Sequence, residues 1–344
     1  SSFAALTENN SLVLQSIIRE QDFLDEDAFT LTTQFGEIDL SEFGDITHME
    51  MDIDQRELYI VKRKGFIAYY DIQNIEQTRL IQQITAVPHG VDITTLEFLT
   101  GGISILVGRS DGQIDQWFPV RDKDNNTVLH NVRSFKEQSA AIIQIEPEYA
   151  RKGFIALDQA GNFGIYHTTA HRTLLVEPLI DHANVKMALS PRANGLLSLA
   201  IDGKAKLLDI DNEHPEVSWH SLWQEVWYES RDKPEYIWQS SSASNDFEPK
   251  LSLSPLTFGT IKAAFYAMMV AVPLAIMGAI FTAYFMSPKM RTLVKPTIEI
   301  MEALPTVILG FLAGLWLAPI VEGNLPGVFS ILVLLPIMTI LTAW

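Results

Sequence analysis

Eight histidines (His48, His89, His130, His167, His171, His182, His214 and His220) are the first candidates for metal or acid–base chemistry. Only His167 and His171 share the i, i+4 spacing that aligns two imidazoles on a helix. They fall where a strand gives way to a loop, so the spacing predicts no ligand pair. Nothing reads Gly-x-x-x-x-Gly-Lys-Ser/Thr, so the chain holds no phosphate-cradling loop of that kind. Asp111-Gly112 and Asp202-Gly203 suit hairpin turns and lack the further oxygens of an EF-hand calcium loop. There is no cysteine, which removes thiolate chemistry and disulfides. The residues predict no enzyme, no metal and no cofactor; binding, scaffolding or transport remains.

The elements that would carry such a role divide in two. Between Lys262 and Lys289 lie 26 residues without Asp, Glu, Lys or Arg, between Glu302 and Glu322 another 19, and from Gly323 onward another 22. About 20 apolar residues cross the hydrocarbon core as a helix, so three spans are predicted, about 257–286, 298–320 and 326–344. Buried helices of a large soluble core are the alternative, disfavoured by so dense a set of charge-free runs.

The region before them reads as repeated β structure. Residues 1–43 are mixed, with a strand over 11–18, a turn at Asp25-Glu26-Asp27, and a hairpin from Phe29–Thr33 and Gly36–Leu40. From about Asp45 a unit recurs: an alternating strand, an apolar strand, a glycine turn and a third strand. Examples are Leu58-Tyr59-Ile60-Val61 before Gly65-Phe66-Ile67-Ala68-Tyr69-Tyr70, and Ile103–Val107 before Gly112–Trp117. The turn glycines stand at 65, 112, 161 and 203, at intervals of 47, 49 and 42. That is the period of a four-stranded propeller blade, which buries its faces only by stacking on neighbours. The unit resembles the WD-type repeat, with Trp117-Phe118 in the Trp-Asp position. The expected fold is an all-β WD-like propeller, partial, with about four to five blades visible, and its rival is a β-sandwich.

Between the halves, Trp219, Trp223 and Trp227 at i, i+4, i+8 predict one helical face able to lie at the headgroup level. Packing of these rings into a blade or the spans is the alternative. Gln239 to Asp246 then reads as a polar linker. The expected domains are 1–218 (propeller), 219–255 (Trp-rich juxtamembrane segment and Ser-rich linker) and 256–344 (membrane).

Charge separates the same halves. Residues 251–344 hold four basic and three acidic residues, which leaves 21 basic and 39 acidic for 1–250, a net of −18. An acidic domain of that size excludes a nucleic-acid footprint and disfavours lying flat on anionic lipid. Lys289, Arg291 and Lys295 cluster between the first two runs, and basic residues near spans stay cytoplasmic. Residues 1–250 are therefore expected outside, with an earlier span or export signal before Ser1.

The membrane half carries a further resemblance. Phe258-Gly259-Thr260-Ile261-Lys262, the run containing Val272-Pro273, and Ala279 to Phe285 are similar to the second helix of C-type phosphate ABC-transporter permeases. Ser287-Pro288-Lys289-Met290-Arg291, then Ile298-Glu299-Ile300-Met301-Glu302-Ala303-Leu304-Pro305 and Gly310, resemble that family's next loop and third helix. Gly259, Pro273, Glu299, Pro305 and Gly310 fall on matching positions, while Glu302 stands where a small residue is usual. A long form with an extracytoplasmic insertion matches the overall plan.

The resemblance implies a type I ABC permease segment, the second to fourth of the family's six spans. It implies ATP-driven phosphate import in a bacterial inner (cytoplasmic) membrane, with residues 1–250 periplasmic. The implied partners are a second permease subunit, a cytoplasmic ATPase dimer, a periplasmic phosphate-binding protein and membrane lipid. The coupling loop and charged transport residues are expected beyond Trp344. Pro273 and Pro305 are candidate helix breakers near a cavity, or ordinary helix-end prolines. Glu299 reads as a cytoplasm-facing residue near a helix start rather than a carboxylate on an anion path. The propeller is expected to dock another protein or regulate access, not to bind phosphate. The alternatives are a membrane-anchored propeller acting as a sensor or protein-binding module, and a permease for another anion.

Overall fold

The computed structural model describes residues 2–21, 29–41, 43–62, 64–178, 185–200, 202–242 and 247–344. The chain forms two compact units, Ser1–Thr260 and Ile261–Trp344. The first is mostly β structure in antiparallel sheets of chain-consecutive strands. Sheet one is β1 (Ser2–Leu6), β2 (Ser11–Gln21) and β3 (Phe29–Asp39). Sheet two is β4 (Ile46–Met51), β5 (Glu57–Lys62), β6 (Phe66–Asp71) and β7 (Arg79–Thr85). Sheet three is β8 (Ile93–Phe98), β9 (Ile105–Arg109), β10 (Ile114–Arg121) and β11 (Thr127–Phe135). Sheet four is β12 (Ile142–Pro147), β13 (Gly153–Asp158), β14 (Asn162–His167) and β15 (Arg172–Pro178). Sheet five is β16 (Val185–Leu189), β17 (Gly195–Ala200) and β18 (Ala205–Asp209).

The first strands of sheets two to five, β4, β8, β12 and β16, touch in succession. The sheets fan out from that line as propeller blades do, and the sandwich alternative is set aside. The reason lies in strands apolar at every position. On β5, Leu58 and Ile60 face sheet one's Leu12 and Leu14, while Tyr59 and Val61 face sheet three's Ile105 and Val107. On β9, Leu106 turns the other way, to Phe154 and Ala156 of sheet four. On β13, Ile155 and Leu157 meet Met187 and Leu196 of sheet five. A strand buried on both faces has no polar alternation to show.

The turn glycines behave as their spacing predicts. Gly65, Gly112, Gly161 and Gly203 have φ of 89°, 86°, 86° and 81° in the turn between the second and third strands of sheets two to five. A residue with a Cβ is strained there. Each of the inner strands β4, β8 and β12 also carries a β-bulge near its start, at Ile46/His48, Ile93/Thr95 and Ile142/Gln144.

The predicted hairpin at Phe29–Leu40 is corrected: residues 29–39 form one continuous strand, paired with β2 from Gln21↔Phe29 to Ser11↔Asp39. Gly36 is not a turn residue. A Cβ built on it would overlap the carbonyl oxygen of Ile75, whose short helical turn crosses β3 there. The glycine marks close backbone approach, a second use of the residue. The acidic run at 25–27 lies outside the described residues.

In the second unit and the approach to it, helices replace strands: α1 (Trp219–Trp223), α2 (Ser254–Phe285), α3 (Pro288–Glu302), α4 (Thr306–Gly323) and α5 (Leu325–Ala343). Three of these, α2, α4 and α5, are long and apolar enough to cross a membrane. The span predicted over 298–320 is redrawn. Pro305 cannot donate to a helical turn and disfavours helical backbone at Leu304, so the chain breaks there. Residues 288–302 become a separate helix with Arg291, Lys295 and Glu299 on one stripe and Met290, Val294, Ile298 and Met301 on the stripe beside it.

Gly36→Ala is expected to lower the unfolding free energy by about 1–3 kcal/mol, the usual cost of forced overpacking. Gly203→Ala, where open space surrounds the glycine, meets only the strain of its positive φ. Urea denaturation followed by tryptophan fluorescence compares the two, and equal loss would sink the close-approach account.

Candidate functional site

The recurrent bulge places Glu50, Glu97 and Glu146 in equivalent registers, opposite Tyr59, Leu106 and Ile155. Their spacing in the chain, 47 and 49 residues, copies that of the turn glycines. Because β4, β8 and β12 touch, three half-buried carboxylates become neighbours. Burial, then the charges of Glu50 and Glu146, push Glu97 up to about 7. Burial also raises Glu50. Gln144 donates to Glu146 and to the Met187 carbonyl (2.8 Å), while Met187 N–H donates back to Gln144 (2.9 Å), tying sheet four to sheet five. Among the described residues none of the three glutamates has a Lys or Arg partner.

A second polar cluster lies inside the β unit. Lys152, in the turn between β12 and β13, sits 2.6 Å from Glu229, and both are buried. Ser104 donates to the other oxygen of Glu229 (2.6 Å), Gln116 to Ser104 (2.9 Å), and Arg133 to Gln116 (2.8 Å) and to the Trp227 carbonyl. Glu248 accepts from Thr169 and from the Glu229 amide (2.9 Å). Burial and the neighbouring Glu248 push the Glu229 carboxyl up, against the pull of Lys152. Sheets three and four thereby hold Trp227, Glu229 and Glu248. The same stretch closes on itself through a two-residue ladder, Trp238↔Leu251 and Gln239↔Lys250, and Leu253 N–H donates to the Leu222 carbonyl (2.8 Å) one residue before α2 begins. Within the segment expected to be a juxtamembrane linker, Ser221, Val226, Tyr228, Glu229, Glu248 and Ser252 are buried in the first unit, while most of 230–242 is exposed. Part of the predicted polar linker, 243–246, lies outside the described residues.

The tryptophans part company. Trp219 and Trp223 stand on α1 with ring centroids 6.0 Å apart, and Trp219 is exposed. The helix ends at Trp223, so the expected single face through Trp227 does not form. Ser218 caps the helix start, and Gln224 is already extended. Trp227 instead packs edge-on against Phe118 of sheet three at 6.1 Å and donates to the Arg231 carbonyl (2.8 Å). An i, i+8 spacing carries no record of where a helix stops.

Gly259 and Pro273 lie within α2 and Gly310 within α4, and Pro305 immediately precedes α4. A Cβ built on Gly259 or Gly310 would meet nothing beyond its own helix within 4 Å. Lys289, Arg291 and Lys295 belong to α3 rather than to a loop. Arg291 donates to the carbonyls of Ala283 (2.6 Å) and Met286 (3.4 Å), capping the open C-terminal end of α2. That end widens, with Met286 N–H bonded to Phe281 O at 3.0 Å, five residues back. Glu299, expected near a helix start, falls instead in the last turn of α3, on its charged stripe, because the helix begins at Pro288. Among the described residues there is no group of three or more His, Asp or Glu that could hold a metal ion, and His167 is buried in β14 with its ring accepting from Ala170 N–H (3.2 Å).

No family model matches the chain. A probable ABC transporter permease protein, YqgH of Bacillus subtilis (strain 168), is 30% identical over 76 residues, which is 22% of this chain and 25% of that protein. The chain spans about a quarter of the length of that curated relative. Among solved structures, the β unit is similar to Saccharomyces cerevisiae Sqt1 (TM-score 0.44, 11% identity, 60% of this chain and 56% of that one). It is also similar to the WD40 propeller domain of Doa1 (TM-score 0.40, 14% identity, 61% of each). Likeness at this level adds nothing to the strand pairing, which already defines a propeller-type β unit followed by helices. The weak permease similarity and the three long apolar helices point to a membrane protein of the transporter class.

Two tests follow from the clusters. Lys152→Met strands the Glu229 carboxylate in the interior and is expected to cost about 3–5 kcal/mol, while the double variant Lys152→Met/Glu229→Leu recovers most of it. Equal losses in denaturant midpoints would contradict a paired site. For Glu97 the folded-state pKa is raised above the ordinary value, so its share of stability is fully present below about 4.5 and is lost as pH rises through about 7. Melting temperature is expected to fall over that window, and Glu97→Gln to flatten the profile; an unchanged slope in the variant would assign it elsewhere.

Proposed function

We propose that the chain is the membrane-spanning permease part of an ATP-driven importer of inorganic phosphate, with its β unit outside as a docking or regulatory module. The observation that carries this reading is the helical unit's plan. The long apolar helices α2 and α4, each with a single charged residue (Lys262 and Glu322), flank a short amphipathic helix whose cations stand at the end of α2, in a chain with local similarity to an ABC permease. Such a helix suits the membrane interface, with Met290, Val294, Ile298 and Met301 toward the acyl chains and Lys289, Arg291 and Lys295 at cytoplasmic headgroups. On that orientation α2 runs inward and the β unit is periplasmic, in the inner membrane.

The mechanism is division of labour. A periplasmic phosphate-binding protein delivers the anion, this chain and a second permease subunit form the path, and a separate ATPase dimer alternates its access. Gly259, Pro273, Pro305 and Gly310 act as helix-shaping positions in this scheme, and Glu299 as a cytoplasm-facing residue. Pro273 frees the carbonyl four residues earlier, and Pro305 separates α3 from α4, so both leave backbone that can rearrange. Trp219 and Trp223 contribute an aromatic patch at the headgroup level. The β unit, with a net charge of −18 over residues 1–250, repels phosphate rather than storing it.

A strain deleted for the gene and restored with the intact coding sequence is expected to recover radiolabelled phosphate uptake. Uptake should vanish when the partner ATPase is inactivated. Restored growth without uptake would favour an anchored sensor instead. Equilibrium dialysis of the chain in neutral-lipid nanodiscs is expected to show no micromolar phosphate binding by the β unit; saturable binding there would reverse its assigned role.

A further inference from the structure

The turns that follow inner strands β4, β8 and β12 open on one groove of about 600 Å³, lined by Met51, Ile53, Phe98, Gly101, Pro147 and Tyr149 among others. Ile53 and Tyr149 rise from different blades and are 78% and 74% exposed. Gly102, at φ 69°, lets Ile53 lie close, because a Cβ there would come within 2.9 Å of the Ile53 methyl. Met51, Phe98 and Pro147 each directly follow one of the aligned carboxylates, Glu50, Glu97 and Glu146. The apolar groove therefore sits at the end of an acidic row without basic partners.

We propose that this groove docks a protein segment in which Lys or Arg alternates with large apolar side chains. The apolar residues seat on Ile53, Phe98 and Tyr149, and the cations reach Glu50, Glu97 and Glu146. The inference rests on the docking-module part of the reading above and gives that module a ligand chemistry. Charge complementarity selects the occupant. Three carboxylates repel phosphate and anionic headgroups, and the acidic surface around them extends the field. A charge pair formed at half-buried groups is stronger than one at a solvated rim. A groove of this volume takes a few side chains rather than a folded domain.

Proton release accompanies docking. A cation beside Glu97 favours its charged form, so the segment binds more tightly as pH rises through about 7. The charged groups acting on Glu97 are Glu50 from β4 and Glu146 from β12, and His48 is the titratable ring on the β4 strand two residues before Glu50. Burial holds the His48 imidazole below its usual range, so it stays neutral there. Glu148, which also lines the groove, is already paired with Arg151.

The test uses the full chain in phosphatidylcholine nanodiscs, whose neutral surface does not attract a basic probe. A fluorescent ten-residue peptide alternating Lys with Phe and Leu is titrated against two controls, one with Glu for each Lys and one with Ser for each Phe and Leu. The basic apolar peptide is expected to bind, and both controls to bind at least about tenfold more weakly. Ile53→Ser and Tyr149→Ser, both at exposed positions, are each expected to weaken it severalfold, and Glu97→Gln to remove the difference in affinity between about pH 6 and pH 8. Binding that ignores these substitutions, or that the acidic peptide matches, overturns the proposal. Phosphate uptake by the same variants separates the two readings: uptake without peptide binding fails only the docking site, and peptide binding without uptake fails only the transport assignment.

Discussion

Burial of both faces of each central sheet is the constraint on which the β unit depends. Leu58 and Ile60 look one way from β5 while Tyr59 and Val61 look the other, and the same division recurs at Leu106 and at Phe154–Leu157. A sheet built so cannot stand alone, since about 25 cal/mol for every Å² of apolar area left in water would oppose folding. Stacking satisfies sheets two to four. The end sheets show what the constraint looks like unmet: Leu197, Leu199 and Leu207 are exposed on sheet five, and Phe29, Leu31 and Phe35 on sheet one. On Phe29 the guanidinium of Arg19 lies 4.1 Å from the ring centroid, covering part of that surface.

Fixing the sheets radially has a chemical consequence at the line where their first strands meet. Positions one repeat apart come together, so a glutamate placed once per blade becomes a cluster. Loss of solvent, then repulsion from Glu50 and Glu146, are what move Glu97 toward neutrality. The energy that holds them close comes from the apolar interfaces on either side, as it does for charged rows in other repeat architectures. Acidity, apolar groove and bulge thus share one origin in the repetition of the blade.

The buried Lys152–Glu229 pair serves another end. Two desolvated charges contribute little net stability against an apolar pair of the same shape. What they add is uniqueness of placement: Glu229 has Lys152 and Ser104 as partners, Glu248 has Thr169 and the Glu229 amide, and sliding the segment would break several bonds at once. The strand-poor stretch between the last sheet and α2 is held by side chains because it has little backbone ladder to hold it.

Much of this was legible in the sequence. Three charge-free runs marked the apolar helices, because lipid forbids what water permits. Glycines at a period near 47 marked the blades, because a left-handed turn position excludes other residues. The continuous apolar strands marked burial on two sides. Other features needed the tertiary structure. Gly36 carries the same letter as the turn glycines, and only the crossing of Ile75 shows that it serves close approach. Trp227 has the spacing of a helix face, yet capping at Ser218 and the early end of α1 send it to Phe118. The basic cluster at 289–295 reads as a loop between spans, and only the structure shows it to be a helix that ends before Pro305. Glu50, Glu97 and Glu146 stand 47 and 49 residues apart and say nothing of one another locally. The sequence by itself determined which segments must be buried, since that depends on side-chain chemistry alone. Which buried or half-buried groups meet depended on stacking and strand register, interactions between residues far apart in the chain that no local pattern records.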